Sequence, residues 1–169
     1  MVFFSLFFIL MIRRPPRSTV FPDTTLFRSL INSIKEKFGK NKNFIFEESV
    51  IPSESFHNSK CLISDWSGIS FEYAFVFEKP IIFIDVPKKI LNTEFDRISS
   101  EPIEIAIREK IGKIVSPDNL SEIPDLIKKI DIDSNLINNE IKEIRSKTVF
   151  NINKSASVGA EYIKKILDN

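Results

Sequence analysis

Residues 62–85 read LISDWSGISFEYAFVFEKPIIFID and contain the pattern that decides the fold. An apolar run typical of a buried strand is followed by a polar turn with one glycine, an amphipathic helix and a second apolar strand. Two parallel strands joined by a helix form a βαβ unit, because parallel neighbours need a long crossover connection. The sequence therefore predicts an α/β protein.

The turn between the first strand and the helix contains small polar residues. Ser67, Gly68 and Ser70 stand where the helix begins. The first N–H groups of a helix have no partner within it and mark the positive end of its dipole, so phosphate oxygens bind there. The same residue types are also common as a simple helix cap. The turn by itself therefore predicts either a diphosphate site or a cap.

Two further features extend the phosphate hypothesis. In an open α/β sheet, ligands bind beyond the carboxyl ends of the strands, so the turns at 65–70 and 85–89 lie on the same rim. Glu72 is placed either to accept the hydroxyls of a ribose or to stabilise the helix dipole. Lys88 either adds a point charge to a diphosphate or forms a solvated pair with Lys89.

The rest of the chain alternates between helical and strand patterns. The sequence predicts a helix that ends at Gly39, a strand at 43–47, a loop around 52–55, a helix from 101 to Gly112, a strand at 113–115, and helices at 122–129 and 134–147. Either Ser116 or Asp118 is expected to cap the helix that follows residue 115. Strands alternating with helices predict a mostly parallel sheet with helices on both faces.

Residues 1–29 differ in composition from the rest of the chain. They contain four of the seven arginines and none of the seventeen lysines. Their apolar run at 2–12 is shorter than the roughly 20 residues that cross a bilayer, and its basic residues follow it rather than precede it. The segment 10–29 closely resembles translated sequencing-adapter read-through, with a genuine leader as the alternative. We therefore expect no domain at 1–29 and one domain at 30–169.

Charge and cysteine content limit the possible partners. Without residues 1–29 the chain has 20 Lys and Arg against 22 Asp and Glu, a net charge of about −2, which argues against a nucleic-acid partner. Cys61 is the only cysteine, so the chain forms no internal disulfide and a reducing, cytoplasmic compartment is indicated. One cysteine and one histidine do not complete a zinc shell without several carboxylates. We predict no metal, no cofactor and no transmembrane segment.

Four segments support a family resemblance: SDWSGISFEYA at 64–74, KPIIFIDVP at 79–87, and EPIE at 101–104 with IREKIG at 107–112. They look like the C-terminal half of the CDP-glycerol glycerophosphotransferase family, the polymerases of teichoic acids and capsules, and the agreement extends over most of 30–167. That family has two Rossmann-like domains of the glycosyltransferase B type, of which the second binds the activated donor. The resemblance therefore implies a Rossmann-like, donor-binding domain.

The resemblance also implies a substrate site. The donor diphosphate would lie at Ser67, Gly68 and Ser70, and its ribose at Glu72, where many relatives have aspartate. Trp66 either stacks on the cytosine or packs beside the sheet. The predicted substrate-binding residues are Asp65, Trp66, Ser67, Gly68, Ser70, Glu72 and Lys88. The implied partners are CDP-glycerol or a similar donor and a cell-wall or capsule polymer, at the inner face of the cell membrane.

One departure from the family concerns catalysis. The family's proposed base is a histidine in the N-terminal domain, within a His-Gly motif that this sequence lacks. His57 is the only histidine, and the family pattern puts no catalytic residue there. Attack of an acceptor hydroxyl on the β-phosphoryl, with CMP leaving, needs that base and an acceptor surface. We therefore predict an enzyme fragment that is inactive alone, with no catalytic residue of its own.

Two other functions stay open from the sequence. A similar turn, acid and later proline occur in nucleotide-sugar epimerases and in UDP-sugar glycosyltransferases of the same fold. A non-catalytic α/β interaction module, in which the turn at 67–70 is only a cap, is the second alternative. Near the end of the chain, the polar residues up to Ser155 are expected either to contact the ligand or to cap a closing helix that packs across the junction between two domains, with Ser155 as the cap.

Overall fold

A small parallel sheet organises the computed structural model, which describes residues 8–10, 23–47, 53–87, 97, 99 and 101–168. The strands are β1 (Phe8–Leu10), β2 (Cys61–Ser64), β3 (Ile81–Ile84) and β4 (Gly112–Val115). The helices are α1 (Asp23–Phe38), α2 (Ser53–Asn58), α3 (Ile69–Phe77), α4 (Ile103–Ala106), α5 (Arg108–Ile111), α6 (Ile123–Ile132), α7 (Ser134–Thr148) and α8 (Ser155–Leu167). A 3₁₀ helix at Pro117–Glu122 connects β4 to α6.

The three strands β2, β3 and β4 are parallel neighbours in sequence order. Leu62 pairs with Ile81, and Ile82 pairs with Lys113. Helix α3 connects β2 to β3, and α4 with α5 connects β3 to β4. This arrangement confirms the predicted βαβ unit and the α/β class, because each parallel pair is joined by a helical crossover.

Residues from the N-terminal part of the chain form the edge strand β1 and the first helix, α1. β1 pairs in parallel with β2, and Phe8 lies opposite Cys61. α1 begins at Asp23, so the expected boundary at residue 29 lies inside a helix. α1 ends at Phe38, as the position of Gly39 predicted. The adapter interpretation of residues 1–29 concerns their origin and stays a prediction.

Side chains that alternate along the strands form a core on each face of the sheet. Leu62, Ile81 and Phe83 pack with α3, α5 and α7 on one face. Cys61 and Ile82 pack with α6 on the other. Because successive strand residues point to opposite faces, strands buried on both sides are apolar at every position rather than at every second one. Helices on both faces were the prediction, and the two cores confirm it.

Three local predictions are wrong. Residues 43–47 form no strand, because the Phe44 N–H donates to Asn41 O at 2.9 Å and closes a turn. The predicted loop around 52–55 contains the start of helix α2. Ser155 is the first residue of α8 rather than its cap, and the residue before it, Lys154, makes no capping side-chain bond.

Of the two candidate caps after β4, Ser116 is the one used, since its hydroxyl accepts from the Asp118 N–H at 3.2 Å.

None of the helices in the described part of the chain combines the length and the apolar character that a membrane crossing needs.

Candidate functional site

The turn between β2 and α3 lies at the carboxyl end of the sheet. Gly68 precedes α3 in a helical conformation, with φ −58° and ψ −29°, and is exposed. The Ser70 N–H donates to Ser67 O and the Phe71 N–H to Gly68 O, each at 3.1 Å. Within the described residues, no acceptor binds the N–H groups of Gly68 and Ile69. These two donors are therefore available to a ligand.

The hydroxyl groups of the turn do not act as helix caps. In the described part of the chain, neither the Ser67 nor the Ser70 hydroxyl makes a hydrogen bond. Ser67 is half-buried, whereas Ser70 is fully buried in the first turn of α3. The Ser70 hydroxyl therefore faces the interior rather than solvent, and its predicted contact with a phosphate stays a prediction.

Three buried polar atoms around this turn lack a partner within the described residues. They are Oγ of Ser64, Oδ1 of Asp65 and Oγ of Ser70. Buried polar groups in folded proteins almost always make a hydrogen bond, and an unpaired one costs about 1–3 kcal/mol. These atoms stand at the end of β2 and the start of α3, and the other unpartnered buried side-chain atoms of the described residues are Nε of Arg108 and Nε of Arg145.

Glu72 and Lys88 were the other predicted ligands of the donor. Glu72 is exposed in the first turn of α3, where its carboxylate is free of described partners and favourably placed near the positive end of the helix. Lys88 lies outside the described residues. Contact of either residue with a ribose or a diphosphate stays a prediction.

The side chain of Trp66 packs against neighbouring residues at the rim. Its indole Nε1 donates to Val86 O at 2.8 Å, which connects the turn after β2 to the turn after β3. The Arg108 guanidinium lies over the indole ring, with Cζ 3.8 Å from the ring centroid. One face of the ring is therefore occupied by Arg108, and stacking of the ring on a cytosine stays a prediction.

Arg108 is the main residue of this rim that the sequence analysis did not assign. It is only 3% exposed, and its Nη1 donates to Asp85 Oδ1 at 2.8 Å. Its Nη2 donates to Ile84 O at 3.3 Å, and its Cζ lies 4.8 Å from the centroid of the Phe83 ring. Asp85 keeps 52% of its side-chain surface exposed. Arg108 therefore fixes a half-exposed carboxylate at the end of β3.

A sequence signal for Arg108 exists but is weak. The residue lies between Ile107 and Ile111, both buried in the core beside α3. An arginine within the buried stripe of a helix needs an acceptor and a flat surface, and Asp85 and Trp66 provide them. Which carboxylate and which aromatic ring meet it depends on the order of the strands.

His57 lies away from the rim. It is exposed in the last turn of α2, and its backbone carbonyl accepts a hydrogen bond from Lys79 Nζ. Its ring centroid is 6.4 Å from that of Phe77. Across the described ranges of the chain, no group of three or more His, Cys, Asp and Glu residues has the geometry to hold a metal ion.

Fold and rim together define the described part as an α/β protein with a small parallel sheet and a polar carboxyl-end rim. Comparison with known proteins adds no relative, since no family model, no curated protein and no solved structure matches the chain.

Proposed function

We propose that this chain is the donor-binding part of a glycerophosphotransferase-like enzyme of the glycosyltransferase B type. In this proposal it binds a nucleoside diphosphate donor, CDP-glycerol or a close analogue, through a Rossmann-like domain. The base and the acceptor surface would come from a second domain, so the isolated chain would bind the donor without turning it over.

The available N–H groups before α3 are the observation that supports the proposal best. Gly68 and Ile69 present two backbone donors at the N-terminus of a nine-residue helix, where the dipole adds positive potential. A Cβ built on Gly68 meets no atom within 4 Å, so the side-chain position of this residue opens onto free space next to the turn. Phosphate groups bind at helix N-termini of this kind, as the pyrophosphate does in dinucleotide-binding folds.

The unpaired buried atoms give independent support. A cap-only turn would place the Ser67 or Ser70 hydroxyl on a helix N–H, whereas neither makes such a bond within the described residues. Oγ of Ser64 and Oδ1 of Asp65 instead keep unused hydrogen-bonding capacity at the carboxyl end of β2, the end where ligands of open α/β sheets bind, whereas the Ser70 hydroxyl faces the interior. This favours a ligand site over the interaction module.

Titration calorimetry tests the proposal. We expect CDP-glycerol and CDP to bind the full chain, and UDP-glucose to bind more weakly. The Gly68→Ala variant should bind both cytidine nucleotides about tenfold more weakly, because the methyl group occupies open space next to the turn and hinders close approach of a phosphate, and a charge-assisted bond is worth roughly 1.5–3 kcal/mol. Its melting temperature should not fall, since the added Cβ meets nothing.

Gly159→Ala is the matched control. Gly159 lies in α8, and a Cβ there also meets no atom within 4 Å, so nucleotide affinity should stay at the wild-type value. Tighter binding of UDP-glucose than of CDP-glycerol would favour a UDP-sugar enzyme of the same fold. If no nucleotide binds the folded chain, the proposal is wrong and the interaction module becomes the better interpretation.

A further inference from the structure

A pocket of about 280 Å³ opens on the rim beside Trp66. The turn after β2 contributes Trp66, the end of β3 contributes Asp85, and α4 contributes Ile105. Arg108, Glu109 and Lys110 of α5 line another side, and Ala106 of α4 and Ile114 of β4 complete the lining. The pocket is therefore built by the carboxyl ends of β2 and β3, by the crossover between β3 and β4, and by one residue of β4.

The charges around the pocket do not favour an isolated anion inside it. The charge of Arg108 is paired with Asp85, which leaves Glu109 and Lys110 as an exposed pair of opposite sign. With one oxygen bound to Arg108, the half-exposed Asp85 carboxylate keeps acceptor capacity for hydroxyl groups. A neutral group that donates hydrogen bonds suits such a lining.

The size of the pocket limits the group that fits. Sites that enclose drug-sized ligands measure about 300–1,000 Å³, and this pocket lies just below that range. A short polyol with adjacent hydroxyls is small enough to enter a pocket of this size.

We propose that this pocket holds the neutral polyol head group of the activated donor, with the Asp85 carboxylate accepting its hydroxyls. This inference rests on the proposed function, in which the diphosphate lies at the N–H groups of Gly68 and Ile69. Trp66 lines the pocket and belongs to the same short turn as Gly68, so the pocket adjoins the turn that holds the diphosphate in this proposal. Arg108 acts as a positioning residue, since its guanidinium donates to Asp85 and holds that carboxylate at the pocket.

Comparing CDP-glycerol with CDP isolates the contribution of the head group. We expect the full wild-type chain to bind CDP-glycerol at least fivefold more tightly than CDP in titration calorimetry. Trp66 is the only tryptophan of the chain, so its fluorescence should change more on titration with CDP-glycerol than with CDP. In Asp85→Asn the affinity for CDP should stay unchanged, whereas the preference for CDP-glycerol should disappear.

Asp125→Asn is the control, because Asp125 is an exposed carboxylate on α6 that does not line the pocket. A second variant, Ile105→Phe, fills the pocket and should also abolish the preference while CDP binding is kept, so the test does not depend on the folding of one variant. If CDP binds but glycerol adds no affinity, or if both variants keep the preference, the head-group inference is wrong while the proposed function stands. If neither nucleotide binds, the proposed function fails, and the inference fails with it.

Discussion

Arg108 is a buried charged side chain, and all but one of its guanidinium nitrogens have a hydrogen-bond partner within the described residues. The guanidinium lies over the Trp66 ring and beside the Phe83 ring, and it donates to Asp85 and to the Ile84 carbonyl. Only its Nε is buried without a partner within the described residues. A planar, weakly hydrated cation is suited to such a site, because its faces stack on aromatic rings while its edges donate hydrogen bonds.

Arg108→Lys should therefore destabilise the protein although it keeps the charge. An ammonium group has no flat face to stack on Trp66 and does not reproduce the geometry that reaches both Asp85 and Ile84, so we expect a loss of about 1–3 kcal/mol in urea denaturation. The exposed neighbour Lys110, changed to alanine, should shift stability by no more than about 0.5 kcal/mol. An unchanged unfolding midpoint in Arg108→Lys would contradict the stacking argument.

Cys61 links burial to stability at high pH. Burial raises the pKa of its thiol from 9.0 to about 11, and burial also raises the pKa of the Tyr73 hydroxyl. A pKa that is higher in the folded state gives stability that is complete below the unfolded pKa and is lost as the pH rises through the folded pKa. The thiol's contribution is therefore present below about pH 9 and disappears towards pH 11.

Thermal melts at a series of pH values test this linkage. We expect the melting temperature of the wild type to fall between about pH 9 and 11, and to fall less in Cys61→Ala, which has no thiol to ionise. Comparing the two proteins removes the effect of lysine deprotonation, which both share. Parallel curves for wild type and variant over this range would show that the buried thiol has no such effect.

At the scale of secondary structure, the junction between α5 and β4 has no loop. α5 ends at Ile111 and β4 begins at Gly112, whose backbone is extended. A Cβ on Gly112 would lie 2.2 Å from the Ile81 carbonyl oxygen, in the neighbouring strand β3. The absence of a side chain therefore allows α5 to pass directly into the sheet, and it also allows β4 to approach β3.

Gly112→Ala should weaken this junction. The methyl group has to displace backbone rather than a flexible side chain, so we expect a loss of about 1–3 kcal/mol in chemical denaturation. In α8, Gly159→Ala should instead stabilise by up to about 1 kcal/mol, because alanine is the better helix former and has room. Equal stability of the two variants would argue against close strand approach at residue 112.

At the scale of the whole molecule, α7 is integrated into the fold and α8 is not. Ile141 of α7 is fully buried in the core beside α3, and Arg145 pairs with Glu78 at the end of α3 at 2.7 Å. All residues of α8 are exposed, including the apolar side chains of Val158 and Tyr162. The predicted packing of this helix across a domain junction therefore stays a prediction.

Removal of residues 155–169 should leave the unfolding midpoint of the rest unchanged. No residue of α8 is buried, so its removal exposes little apolar surface to water. The reference substitution is Ile141→Ala in the full chain, which should cost about 2–5 kcal/mol because it creates a cavity in the core. Thermal unfolding followed by circular dichroism measures both, and a large drop after the truncation would contradict the exposed position of α8.

Local signals in the sequence were sufficient for several elements. β2 coincides with the apolar run after residue 60, α1 ends before Gly39, and Ser116 caps the helix that follows β4. The length of an apolar run, a glycine that ends a helix and a capping hydroxyl each determine structure within a few residues, so they can be identified without knowledge of the fold. The residues 43–47 show the limit, because an apolar triplet forms a strand only where a sheet edge is free to pair with it.

The sequence by itself determined the α/β class, the parallel βαβ unit and the position of the polar turn at Gly68, because these follow from periodicity and from local backbone chemistry. Only the tertiary structure decided that Arg108 meets Asp85 and Trp66, that Ser70 faces the interior, and that α8 stays exposed. These outcomes depend on which strands are neighbours in the sheet and on which helices pack on each face of the sheet. Contacts between residues distant in the chain are set by the packing of whole elements, and no short stretch of sequence encodes them.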